Sequence, residues 1–435
     1  MARIIGTDRC VKSALLNADK WYHCAVAAYH RRFIEPLLAN LLAEVPALLI
    51  VGPRASGKTT TAIRYAKTTV RLDRPSEAAA FRADPDAALR GLAEPVLLDE
   101  WQAVPEVLGA VKRAVDTDPR PGRYLLTGSV RADLDSDTWP GTGRLVRLAM
   151  YPLTASERLE HPGTPPLLDR LSRADELELP SSPPDLRQYV ELALESGFPE
   201  AALSLSPAVR QRWLESYVDQ LLTRDVQQFE DGRDPTRLRR YFEAYALNSA
   251  GIVDDKTLYD SAGINRRTAL AYERLLTQLL VVDAIPAWTS NRLKRLMRSA
   301  KRYLVDPALL TGLLRADANA VLRDGNLLGR VIETFVVAQL RAEVVIAETR
   351  PRLYHLRQEQ GRKEIDLLAE LGADRIIGIE IKADSAPGKE AANHLAWLRD
   401  ELGDRFVAGV VLHTGHRVYA LGERIRAVPI CTLWA

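Results

Sequence analysis

The sequence predicts an α/β fold: a parallel-sheet domain, a helical segment, a helix–turn–helix and a second, mixed α/β domain. Short apolar runs bounded by glycine or proline alternate with helical patterns in the first third of the chain, as buried parallel strands do. A glycine-rich loop directly follows the first run. Residues 316–435 combine a long helical pattern with further apolar strand patterns.

Composition is that of an ordinary globular protein. Hydrophobic residues make up 47% and charged residues 27% of 435 residues, which excludes a disordered or fibrous chain and indicates several domains. The net charge of +2 means that nucleic-acid contact would need a local basic patch. The sequence has no apolar run of the about 18 residues that a membrane span needs. Cys10, Cys24 and Cys431 lack metal-ligand spacing, so we expect a cytoplasmic protein without membrane contact.

The first domain begins with a predicted helix over residues 29–44. Its predicted strands are Ala47 to Val51, Val96 to Leu98, Tyr124 to Leu126 and Leu145 to Met150. A proline-rich stretch from Pro162 to Pro184 predicts a loop or linker, and residues 186–248 predict several helices without strands.

The glycine-rich loop matches the phosphate-binding pattern G-x-x-x-x-G-K-[ST]. The match consists of Gly52, Pro53, Arg54, Ala55, Ser56, Gly57, Lys58 and Thr59, and we include Thr60, which follows it, among the predicted binding residues. Backbone amides of such a loop wrap phosphates, the lysine reaches the β and γ phosphates, and the threonine hydroxyl binds Mg²⁺. The chain has 11 lysines against 48 arginines, so a lysine at this position is more informative than it would be in a lysine-rich chain. The pattern predicts binding of ATP and Mg²⁺.

A second buried strand ends in two carboxylates, Asp99 and Glu100. In a P-loop protein the first holds the magnesium shell and the second polarises the attacking water. The next strand ends in Thr127 and Ser129, one of which would sense the γ-phosphate, with Ser129 preferred. The alternative for both hydroxyls is turn capping.

Several sequence blocks resemble a prokaryotic family of AAA+ ATPases whose C-terminal domain has no assigned function. The blocks occur in family order and are LLDEWQAVPEVLGAVKRAVD, RYLLTGSV, YPLTASE, SGFPEA and YVDQLLTRDV. The resemblance implies an ATPase core close to the archaeal and signal-transduction ATPases, then a winged helix, then a nuclease-like domain. It implies an arginine finger at Arg144 that acts on a neighbouring subunit, although a plain surface arginine is the alternative. Arg224, in the last of these blocks, could face the nucleotide from a helical lid that follows the ATPase core.

The predicted domains follow from these patterns together. They are an extension over 1–28, a P-loop AAA+ ATPase domain over 29–160, a linker and helical lid over 161–248, a winged helix over 249–315 and a PD-(D/E)xK nuclease-like domain over 316–435.

The predicted winged helix carries a basic cluster. Its second helix, from Arg266 to Leu280, has Arg266 and Arg267 in the first turn, where such helices contact DNA. Two strands, Val281 to Trp288 and Lys301 to Val305, flank the charges Arg292, Lys294, Arg295 and Arg298, with Lys301 and Arg302 beyond them. This charge density is typical of phosphate contact, although winged helices also serve as lids or interaction modules.

The C-terminal domain carries a nuclease-like pattern. After a helix from Leu327 to Glu343, the predicted elements are strands at Arg352 to Leu356, Glu364 to Ala369 and Arg375 to Ala383, a helix at Lys389 to Leu402 and a strand at Phe406 to Leu412. The PD-(D/E)xK spacing is matched by Asp366, which is followed after thirteen intervening residues by Glu380-Ile-Lys382. Asp366, Glu380 and Glu333 would hold Mg²⁺ and Lys382 would position water. A structural ion-pair network is the alternative.

These patterns together predict an ATPase whose nucleotide state controls DNA binding and DNA cleavage. One alternative is a signalling switch that binds a protein partner and carries an inactive nuclease-like platform. Another is a toxin-like or defence nuclease restrained by its ATPase. We expect a homo-oligomer in the presence of ATP.

Overall fold

The computed structural model describes residues 29–129, 143–161, 163–225, 234–253, 255–289, 299–358 and 362–435. The predicted extension over residues 1–28, with Cys10 and Cys24, lies outside this range.

The predicted parallel sheet is confirmed and has five strands. These are β1 (Ala47–Val51), β2 (Thr68–Arg71), β3 (Val96–Asp99), β4 (Tyr124–Gly128) and β5 (Leu145–Ala149). All neighbours are parallel, in the order β2-β3-β4-β1-β5. β2 is an addition to the prediction, because this short edge strand has only one fully buried side chain and hence no apolar run. Since β1 lies beside β4, the loops that follow these strands meet at one edge of the sheet.

Helices cover both faces of this sheet. They are α1 (Glu35–Glu44), α2 (Lys58–Ile63), α3 (Pro75–Ala83), α4 (Pro85–Leu89) and α5 (Val107–Thr117). The helix predicted from Tyr29 begins only at Glu35, because Pro36 fits the first turn of a helix and not its interior. Leu49 and Leu126 face one apolar core, while Leu48 and Leu125 face the other, as strand alternation requires.

The middle of the chain is helical, as predicted. The helices are α6 (Ala155–Arg158), α7 (Leu167–Arg173), α8 (Leu186–Leu194), α9 (Pro207–Gln220), α10 (Pro235–Leu247), α11 (Asp255–Ser261) and α12 (Arg266–Gln278), with π-helical segments at Glu200–Ser204 and Leu221–Asp225. The prediction of an irregular linker from Pro162 to Pro184 is wrong where α7 lies. Leu167, Leu168 and Leu171 are buried in the core, and this packing gives order to a segment with weak local signals.

Two antiparallel strands follow, β6 (Val282–Ile285) and β7 (Lys301–Leu304). Both are shorter than predicted. β6 ends before Pro286, which has no amide hydrogen to donate to a strand partner.

The C-terminal part contains a second sheet. Its helices are α13 (Leu309–Leu314), α14 (Ala318–Arg323), α15 (Gly325–Ile346) and α16 (Asn393–Leu402); its strands are β8 (Arg352–Gln358), β9 (Lys363–Glu370), β10 (Ile376–Lys382), β11 (Phe406–His413), β12 (Tyr419–Gly422) and β13 (Ile425–Pro429). The sheet order is β12-β13-β11-β10-β9-β8, mixed parallel and antiparallel. The predicted order of elements is present, and β12 and β13 extend the sheet beyond it.

One apolar core runs from the middle helices through β6 and β7 into the second sheet. The long helix α15 contributes Phe335 and Leu340 to it, while its last residues, Val345 and Ile346, pack against the core of the first sheet. α15 therefore links the two sheets. Among the described residues, no helix is both long and apolar enough to cross a membrane.

Candidate functional site

The phosphate-binding loop has the backbone shape that its glycines predict. Gly57 has a φ of 91°, a left-handed conformation that side chains other than glycine rarely adopt. A Cβ atom on Gly52 would lie 2.1 Å from the carbonyl oxygen of Met150, so glycine is required there by space. The following helix, α2, has only six residues, and the amides of the loop therefore provide most of the anion-binding groups.

Lys58 is buried inside this loop. Its Nζ atom donates a hydrogen bond to the carbonyl oxygen of Pro53 at 2.9 Å. Burial lowers the pKa of Lys58 to about 8, although Glu100 and Asp99 partly offset the effect. The lysine thus lies beside both carboxylates of the following strand.

Asp99, at the end of β3, accepts hydrogen bonds from two hydroxyls. Thr59 Oγ1 lies 2.6 Å and Thr127 Oγ1 lies 2.5 Å from Asp99 Oδ1. Asp99 is fully buried, and its Oδ2 atom has no hydrogen-bond partner among the described residues, with Arg71 Nε 3.6 Å away. A buried carboxylate oxygen without a hydrogen-bond partner, beside a threonine hydroxyl, fits a Mg²⁺ site.

Glu100 belongs to a second, neighbouring network. Its φ of 55° is left-handed, and its carboxylate accepts hydrogen bonds from Gln102 Nε2 and, at 3.0 Å, from Ser129 Oγ. Its backbone amide donates to Thr127 Oγ1 at 3.2 Å. The preferred hydroxyl, Ser129, therefore contacts Glu100, whereas Thr127 contacts Asp99.

Sequence reasoning missed Arg32, which hydrogen-bonds to the backbone of the phosphate-binding loop. The buried guanidinium donates to the carbonyl oxygen of Ser56 at 2.7 Å, to that of Tyr151 at 2.7 Å and to Glu157 Oε1 at 2.9 Å. The sequence signal for this contact was the capping box of Thr154 and Glu157 at the start of α6, because it places the Glu157 carboxylate where Arg32 binds it.

A cavity of about 240 Å³ opens beside α2. Its lining includes Tyr29, Gly57, Thr60, Thr61 and Pro199. Tyr29 Oη donates to Thr61 Oγ1 at 3.1 Å, which orients the aromatic ring in the wall of the cavity. The cavity has both polar and apolar lining, the apolar part coming from Leu153, Pro199 and Leu203, and it adjoins the phosphate loop.

The remaining predicted residues of the ATPase domain lie further out. Arg54 and Ala55 are exposed at the tip of the loop, opposite Tyr217 on α9, whose hydroxyl donates to the carbonyl oxygen of Arg54 at 3.2 Å. Arg144 is half exposed and its Nε atom donates to Asp116 at 2.6 Å. The side chain of Arg224 lies outside the described part of the chain.

Only part of the predicted basic cluster falls within the described residues. Arg266 and Arg267 are exposed in the first turn of α12, which Asn265 caps by accepting a hydrogen bond from the amide of Thr268 at 2.9 Å. Arg292, Lys294, Arg295 and Arg298 lie outside the described residues.

The expectation that Lys301 and Arg302 extend an exposed basic cluster is wrong. Both side chains are buried, Lys301 at 2% and Arg302 at 7% exposure. Arg302 pairs with Asp255 and with Glu273 Oε1 at 3.1 Å, which ties β7 to the helix pair α11 and α12. Neither residue is available to a phosphate.

The second sheet brings the predicted carboxylates together. β9 and β10 are antiparallel with Leu367 opposite Ile379, so Asp366 and Glu380 are neighbours. Asp366 Oδ2 accepts from the amide of Ile381 at 2.9 Å, and Lys382 Nζ donates to Glu380 Oε2 at 2.9 Å. The predicted common face of Glu380 and Lys382 is thus observed.

Lys301 enters this cluster from β7. Its Nζ atom lies 2.5 Å from Glu333 Oε1 and 3.1 Å from Asp366 Oδ1. Burial, reinforced by Asp366, raises the pKa of Glu333 to about 7 and that of Glu380 well above its usual range. Burial opposes ionisation of Lys301, but Asp366 and Glu333 outweigh it and raise the pKa of Lys301.

The cluster in this arrangement does not fit a divalent cation. Among the described residues, no group of three His, Cys, Asp or Glu side chains is placed to hold a metal ion. The ammonium group of Lys301 lies between two of the three predicted ligands.

Three protein families match successive parts of the chain. An AAA domain matches residues 44–159, a domain of unknown function (DUF8612) matches residues 186–320, and a second domain of unknown function (DUF4143) matches residues 328–433. The first match covers all five strands of the parallel sheet and both of its carboxylates.

Two mycobacterial relatives match most of the chain. The uncharacterized protein Rv2008c of Mycobacterium tuberculosis and the uncharacterized protein Mb2031c of Mycobacterium bovis are each 30% identical over 404 residues, covering 92% of this chain and 83% of the relative. A solved structure, the Walker-type ATPase PABY2304 of Pyrococcus abyssi, aligns with a TM-score of 0.41 and 14% identity over 64% of this chain and 93% of that one.

Proposed function

Because the chain belongs to the family of the mycobacterial protein Rv2008c and carries an AAA-type ATPase domain, we propose that it is a Mg²⁺-dependent ATPase whose nucleotide state controls DNA binding. The observation that carries the nucleotide chemistry is the contact between Thr59 and Asp99. Thr59 lies in the first turn of α2 and Asp99 ends β3, and their side-chain oxygens lie 2.6 Å apart beside buried Lys58.

Each residue of the loop has a distinct task in this proposal. The loop amides and Lys58 bind the phosphates, and Lys58 exchanges the carbonyl oxygen of Pro53 for phosphate oxygens. Thr59 and Asp99 would hold Mg²⁺, which neutralises charge on the phosphates. Glu100 accepts hydrogen bonds and so orients and polarises the attacking water. The cavity beside Thr60 would receive the nucleotide base.

The first prediction tests this assignment with two variants. Lys58→Ala should lose tight ATP binding, because it removes the cation that faces the phosphates. Glu100→Gln should retain ATP binding but hydrolyse ATP at least about 100-fold more slowly, since it loses only the group that polarises water. Calorimetric titration with ATP and a phosphate-release assay measure the two effects.

Lys67→Ala is the matched control, since Lys67 is exposed and follows the same helix. It should leave both affinity and turnover unchanged. Unchanged ATP affinity in Lys58→Ala would remove the phosphate-binding assignment, and wild-type turnover in Glu100→Gln would place the catalytic base elsewhere.

The DNA-binding part of the proposal rests on α12. Arg266 and Arg267 are exposed in its first turn, where a helix of a winged helix–turn–helix meets the major groove. Arg302 holds β7 to Glu273 of the same helix, so that the strand pair and α12 would move as one unit. Nucleotide binding would be relayed by α9, whose Tyr217 contacts the phosphate loop.

A second candidate is a nucleotide-gated switch with a catalytically inactive nuclease-like platform that binds a protein partner. The pairing of Lys301 with Glu333 and Asp366 favours it, because an internal ion pair satisfies the carboxylates that a nuclease would use for metal. A nuclease restrained by its ATPase is the third hypothesis. A DNA cleavage assay with Mg²⁺ or Mn²⁺, with and without ATP, separates the second hypothesis from the third.

A further inference from the structure

Arg32 is a buried charged residue at the phosphate loop that has no task in the chemistry proposed above. Its side chain is 5% exposed, and each of its three guanidinium nitrogens donates to a different acceptor. Nη1 donates to the carbonyl oxygen of Ser56 and Nη2 to that of Tyr151, both at 2.7 Å, while Nε donates to Glu157 Oε1 at 2.9 Å. A planar guanidinium with three acceptors in different directions is fixed in one orientation.

The carboxylate that pairs with Arg32 is fixed as well. Glu157 is buried, its Oε1 atom also accepts from the amide of Phe33 at 2.7 Å, and its Oε2 atom accepts from the amide of Thr154 at 2.8 Å. Because the negative charge of Glu157 compensates the positive charge of Arg32 inside the protein, the pair adds little net charge at the phosphates. Arg32 therefore acts on the loop through its geometry rather than through its charge.

The contact with Ser56 sets the direction of the next amide group. The Ser56–Gly57 peptide bond is trans, and in a planar trans peptide the C=O and N–H groups point in opposite directions. Since Arg32 holds the carbonyl oxygen, the Gly57 amide points away from Arg32, and among the described residues it has no hydrogen-bond acceptor. The side of Gly57 that faces Arg32 is closely packed, because a Cβ atom there would lie 3.3 Å from Arg32 Nη1 and 3.4 Å from Pro199 Cγ.

We propose that Arg32 is a positioning residue that presets the Ser56–Gly57 peptide, so that the amide of Gly57 faces the phosphates of ATP. This role rests on the proposed ATPase function, and Glu157 serves it by orienting the guanidinium. Loop amides cradle the α and β phosphates, which are not transferred, so they bind the ground state and the transition state alike. Loss of Arg32 should therefore weaken ATP binding without slowing the chemical step.

The experiment measures three quantities on the full chain: the Kd for ATP by calorimetric titration, KM and kcat by phosphate release, and Tm by thermal unfolding. Arg32→Gln should raise Kd and KM by about 10-fold or more, the loss typical of one hydrogen bond to a charged group, and should leave kcat within about twofold of the wild type. Arg32→Lys keeps the charge but cannot donate in three fixed directions, so it should show the same loss of affinity.

Arg123→Gln is the matched control, because Arg123 is a buried arginine of the same domain with the same kinds of partners. Its Nε atom donates to Glu94 Oε1 at 2.8 Å, and its Nη1 atom donates to the carbonyl oxygens of Ala114 at 2.8 Å and Asp118 at 2.6 Å. Arg123 directly precedes β4, at the end of the sheet opposite to the phosphate loop. Both Arg123→Gln and Arg32→Gln should lower Tm, since each leaves a carboxylate without its partner, but only Arg32→Gln should change the KM for ATP.

If Arg32→Gln does not fold, Arg32→Gln with Glu157→Gln removes both buried charges together, and it should fold with the same loss of affinity. Folded Arg32 variants with the wild-type KM would overturn the proposal, and so would a wild-type KM in Arg32→Lys alone, since charge would then suffice. An equal rise of KM in Arg123→Gln would assign the effect to lost stability and reject the positioning role. Failure of the wild type itself to bind ATP would remove the proposed ATPase function, and the role of Arg32 with it.

Discussion

At the scale of single residues, two hydroxyls, one on β4 and one just after it, donate to different carboxylates. Thr127 contacts Asp99, the residue that would hold Mg²⁺, and Ser129 contacts Glu100, the residue that would polarise water. The sequence could not separate their roles, because both follow the same apolar run. The directions of the two side chains at the end of β4 determine which carboxylate each hydroxyl contacts.

The second prediction uses this difference. Thr127→Val should raise the Mg²⁺ concentration needed for half-maximal ATP hydrolysis by about 10-fold or more, as loss of a group that orients a metal ligand does. Ser129→Ala should lower kcat with little change in the Mg²⁺ requirement, because it removes one of the two side-chain hydrogen bonds that hold the Glu100 carboxylate. Steady-state kinetics at varied Mg²⁺ measures both.

Thr68→Val on β2 is the control, because the Thr68 hydroxyl donates to the carbonyl oxygen of Ala93 at 2.8 Å and lies away from the site. A shifted Mg²⁺ requirement in Ser129→Ala combined with an unshifted one in Thr127→Val would reverse the assignment.

The third prediction concerns Glu343, a buried carboxyl on α15 that accepts a hydrogen bond from the amide of Leu167 at 2.8 Å. Burial raises its pKa to about 8, with Asp169 adding to the effect and Arg170 opposing it. A pKa raised on folding means that the folded state binds more protons, so stability is fully present below about pH 4.5 and is lost as pH rises through about 8.

Glu343→Gln keeps an acceptor for Leu167 and cannot ionise. Its free energy of unfolding should match the wild type near pH 4.5 and exceed it at pH 8.5, at about 1.4 kcal/mol for each pKa unit separating the folded and unfolded states. Urea unfolding at both pH values measures this. Glu348→Gln, a change of a carboxyl group that is 82% exposed, is the control. An equal pH dependence in Glu343→Gln and wild type would show that Glu343 ionises normally.

At the scale of secondary-structure elements, the capping residue and apolar spacing in the sequence predict the helix pair α11 and α12 well. Asn265 caps α12 as its sequence position predicts, and the helix ends at Gln278, two residues before the predicted end. The exposed first turn leaves Arg266 and Arg267 open to solvent. Such positions are where phosphate contacts would be made.

The fourth prediction follows from that exposure. Arg266→Ala with Arg267→Ala should weaken duplex DNA binding and reduce the slope of log affinity against log salt by about 2, one for each phosphate that an arginine no longer neutralises. Fluorescence anisotropy at several salt concentrations measures it. Arg173→Ala with Arg187→Ala, a change of two exposed arginines on α7 and α8, should have no such effect. An unchanged slope in the α12 variant would argue for the protein-binding switch.

At the scale of the whole molecule, the ATPase sheet and the second sheet share structural support. Two side chains of α15 accept hydrogen bonds from backbone amides of the middle segment. Gln339 Oε1 accepts from the amide of Ala155 at 2.7 Å, and the Glu343 carboxyl accepts from the amide of Leu167. Its last turn packs against the core of the first sheet. The ATPase sheet and the second sheet therefore pack against one common helix.

The fifth prediction concerns assembly. Arg144 lies directly before β5 and is half exposed, paired with Asp116 of its own chain, so a neighbouring subunit could reach it. If it acts in trans, mixing Arg144→Ala with Lys58→Ala chains should restore ATPase activity that each lacks alone, since one supplies the nucleotide site and the other the arginine. Arg120→Ala, another exposed arginine, should retain activity by itself. A chain that stays monomeric with ATP by light scattering would exclude the trans role.

Much of the nucleotide site is local in sequence, and the sequence alone therefore determined it. The loop from Gly52 to Thr59 and the strand ending in Asp99 are contiguous patterns whose apolar and glycine residues dictate their conformation. The spacing of Asp366 and Glu380 fits the PD-(D/E)xK pattern and so predicted carboxylates on neighbouring strands; β9 and β10 pair antiparallel across residues 371–375 and bring the two together.

Only the tertiary structure decided which distant groups complete these sites. Arg32, which donates to the phosphate loop at Ser56, is held by Glu157, 125 residues away, and Lys301 enters a cluster whose other members lie on α15, β9 and β10. The segment containing α7 is helical because the core covers its leucines. Such contacts join elements that are far apart in the chain. A buried charge finds its partner through the packing of whole elements, and no local pattern specifies which partner that is.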